Sequence, residues 1–124
     1  MSPRAAALAL LAACSGGAAE APTFAEAQAA GIGQSCAFSS CHGASAGTGG
    51  LHLDGTSADY DRLVDVESST GVPYVVPGDA DGSYLVQKLE GADGITGDPM
   101  PVGGSLDPAD LQVVRDWIEA GAPR

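Results

Sequence analysis

Apolar and polar positions repeat with a helical period at both ends of the chain and lose that period in between. Leu111, Val114, Trp117 and Ile118 fall on one face of a helix, while Asp110, Arg115, Asp116 and Glu119 face water. Asp107 is placed to cap that helix, Pro108 takes its first position, and Gly121 stops it. Nearer the other end, Thr23 and Glu26 fit a capping box. This predicts a helix from Phe24 to about Ile32, with Phe24 and Ala27 or Gln28 on one side. Two shorter helices are expected. One runs through Asp59, Tyr60, Leu63 and Val64 behind Thr56 or Ser57; the other spans Ser83 to Leu89 behind Asp79 or Asp81, ended by Gly91. Residues 43 to 50 and 91 to 105 are glycine-rich connections, and Pro73 and Pro77 keep 68 to 78 out of helix. No strand and no internal repeat is indicated, so the expected fold class is all-α with long Gly-rich loops.

Composition makes that fold hard to sustain unaided. The chain has 124 residues, enough for one small domain, with 18 Gly, 8 Pro and only six aromatic side chains: Phe24, Phe38, Tyr60, Tyr74, Tyr84 and Trp117. Its hydrophobic share of 44% is swollen by alanine. A chain so small and so poor in bulky side chains needs a disulfide, a metal or a large cofactor to hold it. The formal charge of -11 excludes a nucleic-acid binder, because few cations are available to neutralise phosphates. No Ser-His-Asp set, carboxylate pair or nucleotide loop stands out. Asp59 with Asp61, and Asp79 with Asp81, read as helix caps and solvated surface. The expectation is a protein that is not itself an enzyme, though it could serve as a module of a larger oxidoreductase.

Met1-Ser2-Pro3-Arg4 followed by the uncharged run Ala5 to Ala13 has the outline of a short signal peptide. The run is too short to span a bilayer, which takes about 20 residues. Leu11-Ala12-Ala13-Cys14 resembles the lipobox of bacterial lipoproteins, which implies cleavage before Cys14 and acylation of that residue. The expected organisation is a leader at 1–13, a lipidated flexible tether at 14–22 and one domain at 23–124. Such a chain faces the periplasm from a lipid anchor, with the outer membrane favoured because Ser15 is not aspartate.

With Cys14 assigned to lipid, Cys36 and Cys41 remain as a pair, and His42 directly follows the second. Two close cysteines with a histidine directly after them are the pattern of covalent c-type haem attachment. Each thiol adds to one vinyl group, and the adjacent imidazole becomes the proximal iron ligand. Two other readings use the same residues. Cys36, Cys41, His42 and His52 form a candidate Cys2His2 zinc site, or Cys36 and Cys41 close a small disulfide in a non-redox binding or structural lipoprotein.

The order Cys36-Ala37-Phe38-Ser39-Ser40-Cys41-His42, flanked by a capped helix before it and a Trp-bearing helix at the end, resembles the class I (mono-haem) cytochromes c. The segments around Val76-Pro77-Gly78-Asp79 and Trp117-Ile118-Glu119-Ala120-Gly121 are similar to bacterial cytochrome c-like lipoproteins. Four residues separate the cysteines here, where the family usually has two. The resemblance implies one covalent haem c, wrapped by a small helical domain in which the first and last helices pack together. It implies one-electron transfer and a distal methionine before the last helix. Met100, between Pro99 and Pro101, holds that place. Leu51, Leu53, Tyr60, Leu63, Tyr84, Leu85 and Ile95 are the expected pocket wall. His52, flanked by those leucines, is expected to face solvent, and Lys88 to be an ordinary surface charge. Both remain weaker alternatives to Met100. A redox protein partner is expected to present a basic or neutral docking face.

Overall fold

The computed structural model describes residues 19–38, 40–43 and 47–124. The expected leader and Cys14 lie outside them. Four α-helices form the frame: α1 (Phe24–Ala27), α2 (Asp59–Leu63), α3 (Tyr84–Glu90) and α4 (Pro108–Glu119). No strand occurs among the described residues; three isolated bridges join Val64 to Val75, Glu67 to Pro73 and Val76 to Asp79.

Local signals account for where the first and last helices begin. The Thr23 hydroxyl accepts from the Glu26 amide, and the Glu26 carboxylate accepts from the Thr23 amide at 2.7 Å, closing the capping box. The Thr23 amide first, and the Thr23 hydroxyl donating to the same carboxylate second, hold the Glu26 carboxyl below its ordinary range. The helix does not run regularly to Ile32. It widens into a π-type stretch, Gln28–Cys36, interrupted at Gly31. A Cβ at Gly31 would stand 2.7 Å from Leu106 Cδ1, so the absent side chain admits Leu106 at the bend. At α4 the Asp107 carboxylate accepts from the Ala109 amide at 2.9 Å, with Pro108 in the first turn.

Helix α3 starts differently from expectation. Its first amides donate to the Pro73 and Tyr74 carbonyls, 2.9 Å each, so the chain that doubles back over 64–76 supplies the cap. Neither Asp79 nor Asp81 caps it. Asp79 accepts instead from the Gly82 amide, and Ser83 is tied by its hydroxyl to the Asp79 carbonyl and the Val76 amide. Gly91 ends the helix at φ 63°, in the left-handed region that favours glycine.

The core lies where α1 and its π-type continuation meet α4. Phe24, Ala27, Ile32, Val114, Trp117 and Ile118 are buried there. The Phe24 ring sits 5.3 Å from Trp117 and 5.4 Å, edge-on, from Tyr60. The chain end folds over this cluster: Trp117 Nε1 donates to the Pro123 carbonyl at 2.7 Å, and the Tyr60 hydroxyl to the Ala122 carbonyl at 2.8 Å. Arg115, expected in water, instead links Asp81 and Glu90 of the α3 region to α4. Asp59 is also not surface. Its carboxylate is fully buried, accepts from the Asp54 and Gly55 amides, and pairs with Arg62 at 2.7 Å.

Candidate functional site

Beside that core the structure opens a cleft of about 360 Å³. Its apolar walls are Leu51, Leu53, Leu85 and Leu89 with the rings of Tyr74 and Tyr84. Cys36, His42, Lys88 and Met100 also line it, along with Thr96, Gly97, Asp98 and Val102 of the long loop before α4. Burial is the larger cause, and Tyr84 the smaller, of a raised Tyr74 phenol.

The unusual spacing between the cysteines is taken up by a turn. Cys41 and Gly43 amides donate to the Phe38 carbonyl at 2.9 and 2.8 Å, and the His42 amide returns to the Cys36 carbonyl at 3.2 Å. These bonds bring His42 back beside Cys36. Ser39 of this turn lies outside the described residues. Cys36 is buried and Cys41 exposed, and no disulfide joins them. Burial pushes the Cys36 thiol up to about 11, with Cys41 adding to the rise. Near neutral pH it is therefore a thiol rather than a thiolate.

His42 is oriented by its own neighbourhood. Nδ1 lies 3.0 Å from the Leu51 carbonyl oxygen. A carbonyl can only accept, so Nδ1 carries a proton, and in the tautomer this selects Nε2 is the nitrogen available as a ligand. The Leu53 amide donates to the His42 carbonyl at 2.7 Å. The 51–53 segment thus aligns the imidazole while adding Leu51 and Leu53 to the cleft. His52 is half-buried and does not line it.

Met100 reaches the cleft from a loop fastened to α3. Its amide donates to the Lys88 carbonyl at 2.8 Å. Lys88 is not an ordinary surface charge: it lines the cleft, and Nζ donates to the Thr96 and Asp98 carbonyls at 2.7 and 2.5 Å. Of the seven residues expected in the wall, Leu51, Leu53, Tyr84 and Leu85 stand there. Tyr60 does not, because its ring belongs to the Phe24–Trp117 cluster. Leu63 is fully buried in the core. Ile95 is half-buried in the loop and does not face the cleft. Tyr74, Leu89 and Lys88 were not expected in the lining. The spacing of Lys88 from Tyr84 and of Leu89 from Leu85, four residues each on α3, was the available signal.

The donor set suits haem. A flat apolar group needs apolar walls, thiols at its edge, and an imidazole with an open nitrogen and a thioether as iron ligands. Cys36, His42 and Met100 share this cleft; Cys41, next to His42 in sequence, is exposed and does not line it. Zinc finds less support: among the described residues no three His, Cys, Asp or Glu side chains form a metal-holding group. Among known families, the model described as Planctomycete cytochrome C matches residues 39–101. Cys41, His42 and Met100 fall within that span, and Cys36 just before it. No curated protein and no solved structure matches the chain.

Proposed function

The chain belongs to the Planctomycete cytochrome C family, and from that premise we propose that it is a one-electron carrier with a single His/Met-ligated haem c. Cys36 and Cys41 would hold the haem through thioethers, His42 would bind the iron through Nε2, and Met100 would bind it from the loop before α4. When bound, the haem supplies an iron that cycles between ferric and ferrous states. The observation that carries this reading is one apolar cleft shared by Cys36, Met100 and His42, whose Nδ1 is committed to the Leu51 carbonyl.

The protein's own residues do three things in this reading. The Leu51 carbonyl fixes the imidazole tautomer and raises its basicity as a ligand. The leucine and tyrosine walls exclude water, which disfavours net charge at the site. The thioether of Met100 favours the ferrous state more than a second imidazole would, and so raises the potential.

Two further parts of the proposal concern setting. Cys14 would carry lipid and hold the domain at the periplasmic face of a bacterial membrane, the outer one favoured. No helix among the described residues is long and apolar enough to cross a membrane. The redox partner would present a basic face. Residues 19–124 contain sixteen acidic side chains against Arg62, Lys88, Arg115 and Arg124. All four cations are engaged within the domain, and the net balance is strongly acidic, which favours a basic partner.

The test is a pair of variants in the haem-loaded protein. Met100→Ala should abolish the sulfur-to-ferric-iron charge-transfer band, lower the potential and open a site for added ligands. His52→Ala should do none of these. The opposite pattern would overturn the ligand assignment.

A further inference from the structure

The loop that presents Met100 has little to hold it by itself. Gly94, Gly97 and Gly103 all take positive φ, and residues 91 to 105 form turns and bends without regular structure. A neutral thioether is a weak ligand. Ordering the loop must therefore come from elsewhere, since glycine-rich chain has much conformational entropy to lose.

Helix α3 supplies the restraint. Tyr84 and Lys88 stand one turn apart on it, and both reach the same loop. The Tyr84 hydroxyl accepts from the Thr96 amide at 3.1 Å. The Lys88 ammonium donates to the Thr96 and Asp98 carbonyls at 2.7 and 2.5 Å, and its main-chain carbonyl accepts from the Met100 amide at 2.8 Å. The three arginines among the described residues all pair with carboxylates. Lys88 instead binds main-chain carbonyls, although the chain is rich in acids. Charge-assisted bonds of this kind are roughly twice as strong as neutral ones.

We infer that Lys88 is the positioning residue for Met100: its ammonium holds residues 96–98 so that the sulfur two residues on stays at the cleft. The inference rests on the reading of Met100 as the iron ligand. It assigns Lys88 no contact with the iron. The ammonium fixes the loop, and the loop fixes the sulfur.

The experiment uses the full haem-loaded chain with Lys88→Met, Lys88→Arg and Met100→Ala. It follows the sulfur-to-iron band, the affinity of ferric protein for added imidazole, and hydrogen exchange at the Met100 amide. Lys88→Met should raise imidazole affinity and speed Met100 exchange about tenfold, and weaken the band, as expected when charged hydrogen bonds are lost from one state of a two-state loop. Lys88→Arg keeps charged donors and should stay within about twofold of wild type on all three. If Lys88→Met does not load haem, the milder Lys88→Gln carries the same test. A Lys88→Met or Lys88→Gln protein within about twofold of wild type on all three readouts overturns the inference. Met100→Ala is scored first. A band that survives it overturns the ligand reading itself, a failure distinct from that of Lys88.

Discussion

The α1–α4 end and the cleft end are built from similar side chains but closed in different ways. At the first, Phe24 lies against Tyr60 and Trp117, and the polar atoms of Tyr60 and Trp117 are satisfied by the Ala122 and Pro123 carbonyls. The buried rings there pack on one another. At the second, leucines and tyrosines face a cavity of about 360 Å³, and the loop carrying Met100 is held chiefly by α3. Walls that face a cavity are not packed against one another as the Phe24–Trp117 cluster is. The difference teaches that one region is closed by its own side chains, while the other has the shape and lining to take the haem proposed for it.

The comparison can be broken in several places. Trp117→Ala should have the largest effect on stability, about 3–5 kcal/mol, because it empties the closed core; denaturant unfolding measures it. The loss should appear with or without haem. Filling the cleft should act on the other region: on haem loading, amide exchange at Thr96 and Met100 should slow far more than at Ala122. Equal slowing at both ends would remove the contrast. Thr23→Ala should cost about 1 kcal/mol by deleting the capping box of α1, without moving the haem spectrum.

The smallest effects are electrostatic. The Thr56 hydroxyl first, and Arg62 next, hold the Asp54 carboxyl well below the usual carboxylate range. A depressed folded value means that its stabilisation is complete above the ordinary carboxylate range and is lost as pH falls below it. Asp54→Asn should therefore lower the melting temperature slightly at neutral pH and change little in acid, which flattens the acid limb of the profile. Added salt should slow electron transfer to a basic partner, whereas a rate unchanged between low and high salt would argue against a charged docking face.

What the sequence made legible follows the range of the interactions. Helix α4 could be read to its ends because Asp107, Pro108 and the Leu111–Ile118 stripe are local signals. The cysteine-histidine order and Met100 were legible as chemistry, and the structure brings Cys36, His42 and Met100 to one cleft. The bend at Gly31 was not legible, because its cause is Leu106, distant in sequence. Asp59 looked like a surface acid because the amides it binds belong to the preceding loop; Arg62, three residues on, was the one local hint. Tyr60 and Leu63 carry the right residue types for a pocket wall. Only tertiary packing shows that they face the aromatic core. Lys88 was misread for the same reason, since a helical pattern places a side chain on a face but not against a loop eight to ten residues later.

The central claim is that Cys36 and Cys41 hold one haem covalently, and intact mass tests it most directly. The chain is exported together with cytochrome c maturation factors, extracted with acidified organic solvent and weighed. The expected mass is the processed polypeptide plus one haem, with that increment absent when both Cys36→Ser and Cys41→Ser are introduced. A mass equal to the bare processed polypeptide would contradict it.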